Sequence, residues 1–173
     1  ILVQIPASSS LESLGGGTKA KALILYHPSR DAHFTNDLSI AIANGLKTTG
    51  FSVDRTTLNL NTDPSPHNYA LIVIVSNTYY WTPDLPTLWY LNRANLKGAN
   101  VLAVIAGAGS TDRSKRLLEE ALQSSGANIV ASHASWLLRP NDESRTSDSN
   151  RAVALEQATQ LARDTAAKLK VGD

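Results

Sequence analysis

The sequence contains no cysteine among its 173 residues. Disulfides, zinc–thiolate centres and thiol nucleophiles are therefore excluded, and any redox chemistry has to be carried by a bound cofactor. Methionine is absent as well, so Ile1 is not a translation start and the expectation is a processed chain or part of a longer one. Long apolar runs are lacking. Residues 1–6, Ile-Leu-Val-Gln-Ile-Pro, are apolar but far too short to cross a bilayer. Two readings of them stay open. As the remnant of a removed signal or anchor, they would make the protein membrane-associated or organellar after N-terminal processing. As an ordinary short strand, they fit a cytoplasmic protein.

Charge of one sign is not in excess either. Sixteen basic residues face 15 acidic ones, a net +1, and there is no basic stripe with interleaved aromatics, so no nucleic-acid partner is expected. His27, His33, His67 and His133 are scattered, and none stands at ligand spacing from another His or a carboxylate, so no metal is expected. A Gly-x-Ser-x-Gly nucleophile elbow does not occur.

What is present is enough for one packed domain: 42% of the residues are apolar, and the length allows a real core. Residues 1–20 read as an N-terminal extension, with Ser and Gly concentrated between 7 and 21 as in a linker. Residues 21–173 read as the domain. Strands are predicted at 22–26, 51–58, 70–75, 101–106 and 128–132, the last extended by 136–138. The run 70–75 is the most apolar and so the most central. Helices are predicted at 35–48, with Thr35 or Asn36 as N-cap, at 87–94, from Ser110 or Thr111 to 125, and at 150–170. Leu85, Leu88, Leu91 and Trp89 are the expected buried side of the second helix, and Leu117, Leu118, Ala121 and Leu122 that of the third. Strands alternating with helices imply an α/β domain with a parallel sheet and right-handed crossovers.

Three loops then leave the same carboxyl-terminal edge of that sheet, where open α/β sheets bind ligands. The first follows strand 22–26 and runs through His27, Pro28, Ser29, Arg30, Asp31 and His33 to Phe34 and a helix start. The second follows strand 70–75 and carries Tyr79, Tyr80 and Trp81, then Pro83 and Pro86. The third is Gly107-Ala108-Gly109 after strand 101–106. Flat π faces at such an edge suit a planar aromatic cofactor, most simply a flavin. Each loop also has a plainer reading: an ordinary capped strand–helix connection, aromatics that cover the core or a subunit contact, and a tight turn.

Taken in this order and spacing, the three loops resemble the flavodoxin-like superfamily, and within it the flavin-dependent NAD(P)H and quinone reductases. The resemblance spans about 21–170. It implies a three-layer α/β flavodoxin-like fold, a five-stranded parallel sheet of order 2-1-3-4-5 with helices on both faces. It implies FMN, with FAD the lesser alternative, and NAD(P)H as co-substrate in reducing a quinone or similar small-molecule acceptor. The phosphate would lie at the first helix start, on Ser29, Arg30, His33, Thr35 and Asn36. The ring would lie near Thr78, Tyr79, Tyr80 and Trp81, with Gly107, Ala108 and Gly109 on its other side. No residue is assigned to catalysis, although Tyr80 and His133 are candidates to polarise a flavin or quinone oxygen. Homodimers are frequent among such reductases, and Trp89, Tyr90 and Trp136 are candidate partner-facing residues. Two other readings stay open. One is a flavodoxin-type electron carrier. The other is a flavin-free accessory subunit, motivated by Asp31 and by the absence of glycine between His27 and Thr35.

Overall fold

The computed structural model describes residues 10–30 and 33–169. The apolar stretch 1–6, Asp31 and the predicted helix end at Lys170 lie outside the described residues.

The sheet begins with β1 (Glu12–Gly16) and β2 (Ala20–Tyr26). It continues through β3 (Phe51–Thr57), β4 (Leu71–Tyr79), the two-residue β5 (Thr82–Pro83), β6 (Asn100–Gly107) and β7 (Asn128–Trp136). β4 and β6 are buried along almost their whole length, as continuous apolar runs require when helices cover both faces. Pairings β2–β3, β2–β4, β4–β6 and β6–β7 are all parallel. The sheet order is β1-β3-β2-β4-β6-β7, with β5 paired to β4. The five predicted strands are therefore parallel and follow the implied order. The sheet as a whole does not match the expectation of five parallel strands: among the described residues it has seven, and β1 and β5 are antiparallel.

Residues 12–16 correct the linker reading of 7–21. β1 pairs with β3, and Gly16 is what lets it approach: a Cβ there would lie 2.1 Å from the Phe51 carbonyl oxygen. Arg55 fastens this edge. Its guanidinium donates to Glu12 Oε2 at 2.7 Å, to Asn36 Oδ1 at 3.0 Å and to Ser39 Oγ at 3.0 Å.

Helices α1 (Phe34–Thr48) and α4 (Asn150–Lys168) cover one face of the sheet, over Ile24, Val73, Val75 and Val104. Helices α2 (Leu85–Arg93) and α3 (Asp112–Ser124) cover the other, over Leu25, Ile72, Ile74 and Ile105. Burial of each such side chain stabilises the fold by about 1.5–3 kcal/mol. The β3–β4 crossover contains no helix. Its polar loop covers Leu23 and Leu25 directly and encloses a cavity of about 230 Å³.

α2 corrects the sequence reading twice. It starts at Leu85 rather than 87, because Asp84 caps it and Pro86 tolerates the first turn. Its buried side is Pro86, Thr87, Tyr90 and Leu91, while Leu85 and Trp89 are exposed. Tyr90, at 1% exposure, belongs to the core and cannot face a partner. On α3, Ser114, Leu118 and Leu122 are buried, and Leu117 and Ala121 are only half-buried.

Asp84 has no exposed surface. Its Oδ1 accepts from Thr87 N (2.9 Å) and Thr87 Oγ1 (2.8 Å). Its Oδ2 accepts from Asn77 N (2.7 Å) and Ser76 Oγ (3.0 Å). Removing it would leave buried donors unsatisfied, each costing about 1–3 kcal/mol. Asp84→Ala is expected to lower unfolding free energy by at least about 3 kcal/mol in urea titration, and Asp84→Asn by less. A loss below about 1 kcal/mol for Ala would remove Asp84 from this role.

Candidate functional site at the carboxyl edge of the sheet

The first loop is tied down from below. His27 is 3% exposed, and its carbonyl accepts from Thr35 Oγ1 (2.7 Å) and Asn77 Nδ2 (2.9 Å). Thr35 is fully buried, so its hydroxyl closes the loop rather than facing outward. The N-cap position of α1 is His33, at φ 62° and with no side-chain cap; Thr35 and Asn36 are not the caps. The Thr35 N–H instead donates to Ser29 Oγ at 3.3 Å. Asn36 Oδ1 is engaged by Arg55, and Asp37 in the first turn pairs with Arg151. Of the five groups expected at an anion, Thr35 and Asn36 turn inward. The Ser29 oxygen serves the helix, and Arg30 and His33 are exposed.

The second loop is a hairpin, which the sequence reading did not foresee. β4 extends to Tyr79, turns at Tyr80 and Trp81, and returns as β5, with Tyr79 opposite Thr82 and Thr78 opposite Pro83. Both central residues have positive φ, 50° at Tyr80 and 61° at Trp81. That is the backbone of a type I′ turn, which ordinarily takes Asn-Gly. Left-handed backbone costs a residue with a Cβ roughly 1–2 kcal/mol. Little burial offsets that cost, since Tyr80 is 88% and Trp81 58% exposed. Tyr79 turns the other way, and its hydroxyl accepts from the Arg30 N–H at 3.3 Å, joining the first loop to the second.

The third loop lies one strand over. Gly107 is required by close approach: a Cβ there would meet Thr111 Cγ2 at 2.6 Å and Thr78 Cβ at 3.2 Å. The carbonyls of Gly107 and Ala108 accept from Leu137, Leu138 and Arg139 N–H groups at 2.9–3.1 Å, so the chain beyond β7 is bound to this loop.

An open groove of about 660 Å³ results, lined by Thr78, Tyr80, Trp81, Ala108, Gly109, Ser110, Leu138 and Arg139. This is within the usual size of small-molecule sites, about 300–1,000 Å³. Thr78 Oγ1 is buried and has no hydrogen-bond partner among the described residues. The structure thus brings Thr78, Tyr80, Trp81, Ala108 and Gly109 together along one groove. Gly107 packs beneath them. Tyr79 and the first-loop residues do not line the groove. Ser110, Leu138 and Arg139 were missed, although their position after β6 and β7 at the same edge was a usable signal. His133 is half-buried on β7, outside the groove lining.

No protein-family model matches the sequence, and no curated protein matches it. Solved structures do resemble it. A flavodoxin from the domain Archaea superposes with TM-score 0.64 at 19% identity, covering 87% of this chain and 99% of that one. Flavodoxin 1 from Bacillus cereus gives 0.68 at 14% identity, with 87% and 99% covered. The azoreductase AzrA gives 0.60 at 11% identity, with 84% and 100% covered. The chain therefore has the flavodoxin-like fold.

Two outcomes are expected. Tyr80→Asn combined with Trp81→Gly relieves the turn and should raise unfolding free energy by about 1–2 kcal/mol, read as a higher denaturant midpoint with unchanged slope. The second concerns pH. Burial holds His27 below its ordinary value of 6.5, outweighing the attraction of Asp84 3.8 Å away. Above pH 6.5 both folded and unfolded chains carry it neutral. As pH falls below that, the unfolded chain takes up the proton first, so stability is lost by up to about 1.4 kcal/mol per pH unit for each such histidine. His133, also lowered mainly by burial, acts in the same direction. His27→Gln should make the fall in unfolding free energy just below pH 6.5 shallower, read from urea titrations at a series of pH values.

Proposed function

We propose that the chain binds FMN with its ring in the groove between the Tyr80–Trp81 hairpin and the Ala108–Gly109 loop, and serves electron transfer. The observation that carries this is the hairpin itself. Two large aromatics are kept exposed on a strained backbone at the ligand-binding edge, an arrangement that folding alone does not reward. The unpartnered Thr78 hydroxyl and the groove volume support it, as do the flavodoxins and the azoreductase among the similar structures. When bound, the flavin supplies the acceptance and release of electrons; the protein supplies position and electrostatics. Tyr80 and Trp81 offer stacking faces, Thr78 a hydrogen bond to the ring's polar edge, and Pro83 stiffness. NAD(P)H as donor and a quinone or similar small molecule as acceptor are the finer form of this reading.

The phosphate end is held by charge rather than by a backbone cradle. Arg30 and His33 are the exposed groups there, because Thr35 and Asn36 are engaged within the fold. That inward turn also favours the flavin-free alternative, beside the lack of glycine between His27 and Thr35. Titration of the purified protein with FMN and with riboflavin, followed by flavin fluorescence, tests both. FMN should bind, with riboflavin within roughly tenfold of it because an exposed ion pair contributes only about 0–1 kcal/mol. Tyr80→Ala with Trp81→Ala should weaken both by at least about tenfold. Absence of binding by either compound would give the flavin-free reading the case.

A further inference from the structure

Arg139 is the cation of the groove, on the chain that leaves β7. Its guanidinium lies over the Trp136 ring at 4.3 Å. That ring is itself fixed, its Nε1–H donating to Thr111 Oγ1 at 2.8 Å. The Arg139 N–H donates to the Ala108 carbonyl at 3.1 Å, and its carbonyl accepts from Asn150 Nδ2 at 2.9 Å. The main chain of Arg139 is thus fixed on both sides, and its exposed guanidinium rests on the Trp136 ring. Among the described residues no carboxylate forms a salt bridge with it, whereas Arg55, Arg145 and Arg151 are each ion-paired.

We propose that Arg139 determines which ring state the groove prefers: it places a fixed positive charge against the edge of a planar ring lying on Tyr80 and Trp81, and so selects rings that carry or acquire a negative charge. The proposal rests on the flavin reading above. Oxidised FMN has a neutral ring; taking up two electrons and one proton leaves it anionic. A cation at the groove wall binds the anionic ring more tightly than the neutral one, and the difference appears directly in the midpoint potential. The guanidinium's position after the fifth parallel strand also makes the loop beyond β7 a third wall of the site, beside the two from β4 and β6.

The test uses the full chain with FMN, reduced by dithionite in the presence of reference dyes. The dissociation constant of oxidised FMN and the two-electron midpoint potential are measured for the parent, R139Q and R139K. R139Q should lose on the order of tenfold in preference for the reduced over the oxidised form, a fall of about 30 mV in midpoint for a two-electron couple. R139K, which keeps the charge, should stay within about threefold of the parent. The proposal is overturned if R139Q weakens both redox forms equally, if it changes neither, or if R139K behaves like R139Q. If the parent protein binds no FMN at all, the flavin reading has failed and this one falls with it. Binding by the parent with an unchanged preference in R139Q removes the Arg139 assignment alone.

Discussion

A single buried carboxylate governs how the edge of this sheet is built. Asp84 accepts from the end of β4 through Asn77 and Ser76 and from the start of α2 through Thr87. Its own N–H donates to the Asn77 carbonyl at 2.9 Å. The hairpin of Tyr79 to Thr82 is thus closed at its base by one side chain, and its tip follows from that closure. Asn77 then passes the constraint to β2, since its amide donates to the His27 carbonyl. A buried charge is costly unless well paired with donors, and here the donors are the backbone and side chains whose position the site needs. Loss of this group would be felt at the first loop and at the groove together.

The two ends of the edge show opposite balances between stability and exposure. At the start of α1 the polar side chains are drawn inward: Thr35 to His27, Asn36 to Arg55 and Asp37 to Arg151. That end contributes to the fold and presents little to an anion. At the hairpin, the backbone holds two aromatics in a conformation each of them disfavours and leaves their faces in water. Strain kept where it yields no packing has no reward in folding, which is why the ligand proposal is placed there. The ring end therefore has the stronger physical case, and the anion end depends on Arg30 and His33 alone among the exposed candidates.

The parallel part of the fold was legible because its residues say so locally. The continuous apolar runs of β2, β4 and β6 permit only buried strands, and Gly50 and Gly126 mark helix ends. What escaped depended on partners distant in sequence. β1 is made of Glu, Ser, Leu and Gly, with no strand preference of its own; it exists because β3 and Arg55 are there to receive it. The hairpin was hidden because Tyr-Trp is among the least expected pairs for two left-handed positions. The α2 face was misread by counting leucines, when the Asp84 cap and Pro86 set the rotation of the helix and sent Leu85 and Trp89 outward. At the site, residue types at strand ends located Thr78, Tyr80, Trp81, Ala108 and Gly109. For Arg139 the sequence offered only its position after the last strand; its place in the groove comes from the backbone bonds between the loops after β6 and β7.

Net charge describes this edge poorly. The chain as a whole carries +1, yet several of its arginines are neutralised where they stand, Arg55 by Glu12, Arg145 by Asp148 and Glu156, and Arg151 by Asp37. Those pairs join β1 to β3, the 140s loop to α4, and α4 to α1, so they hold elements together and contribute little field at a distance. Arg139 is outside that set and lies exposed at the groove wall beside Leu138, where it acts chiefly on whatever touches it. A near-neutral protein can in this way present a locally positive site. A charge so placed acts at short range, on what touches the groove rather than by long-range attraction, and is screened by salt where it faces solvent.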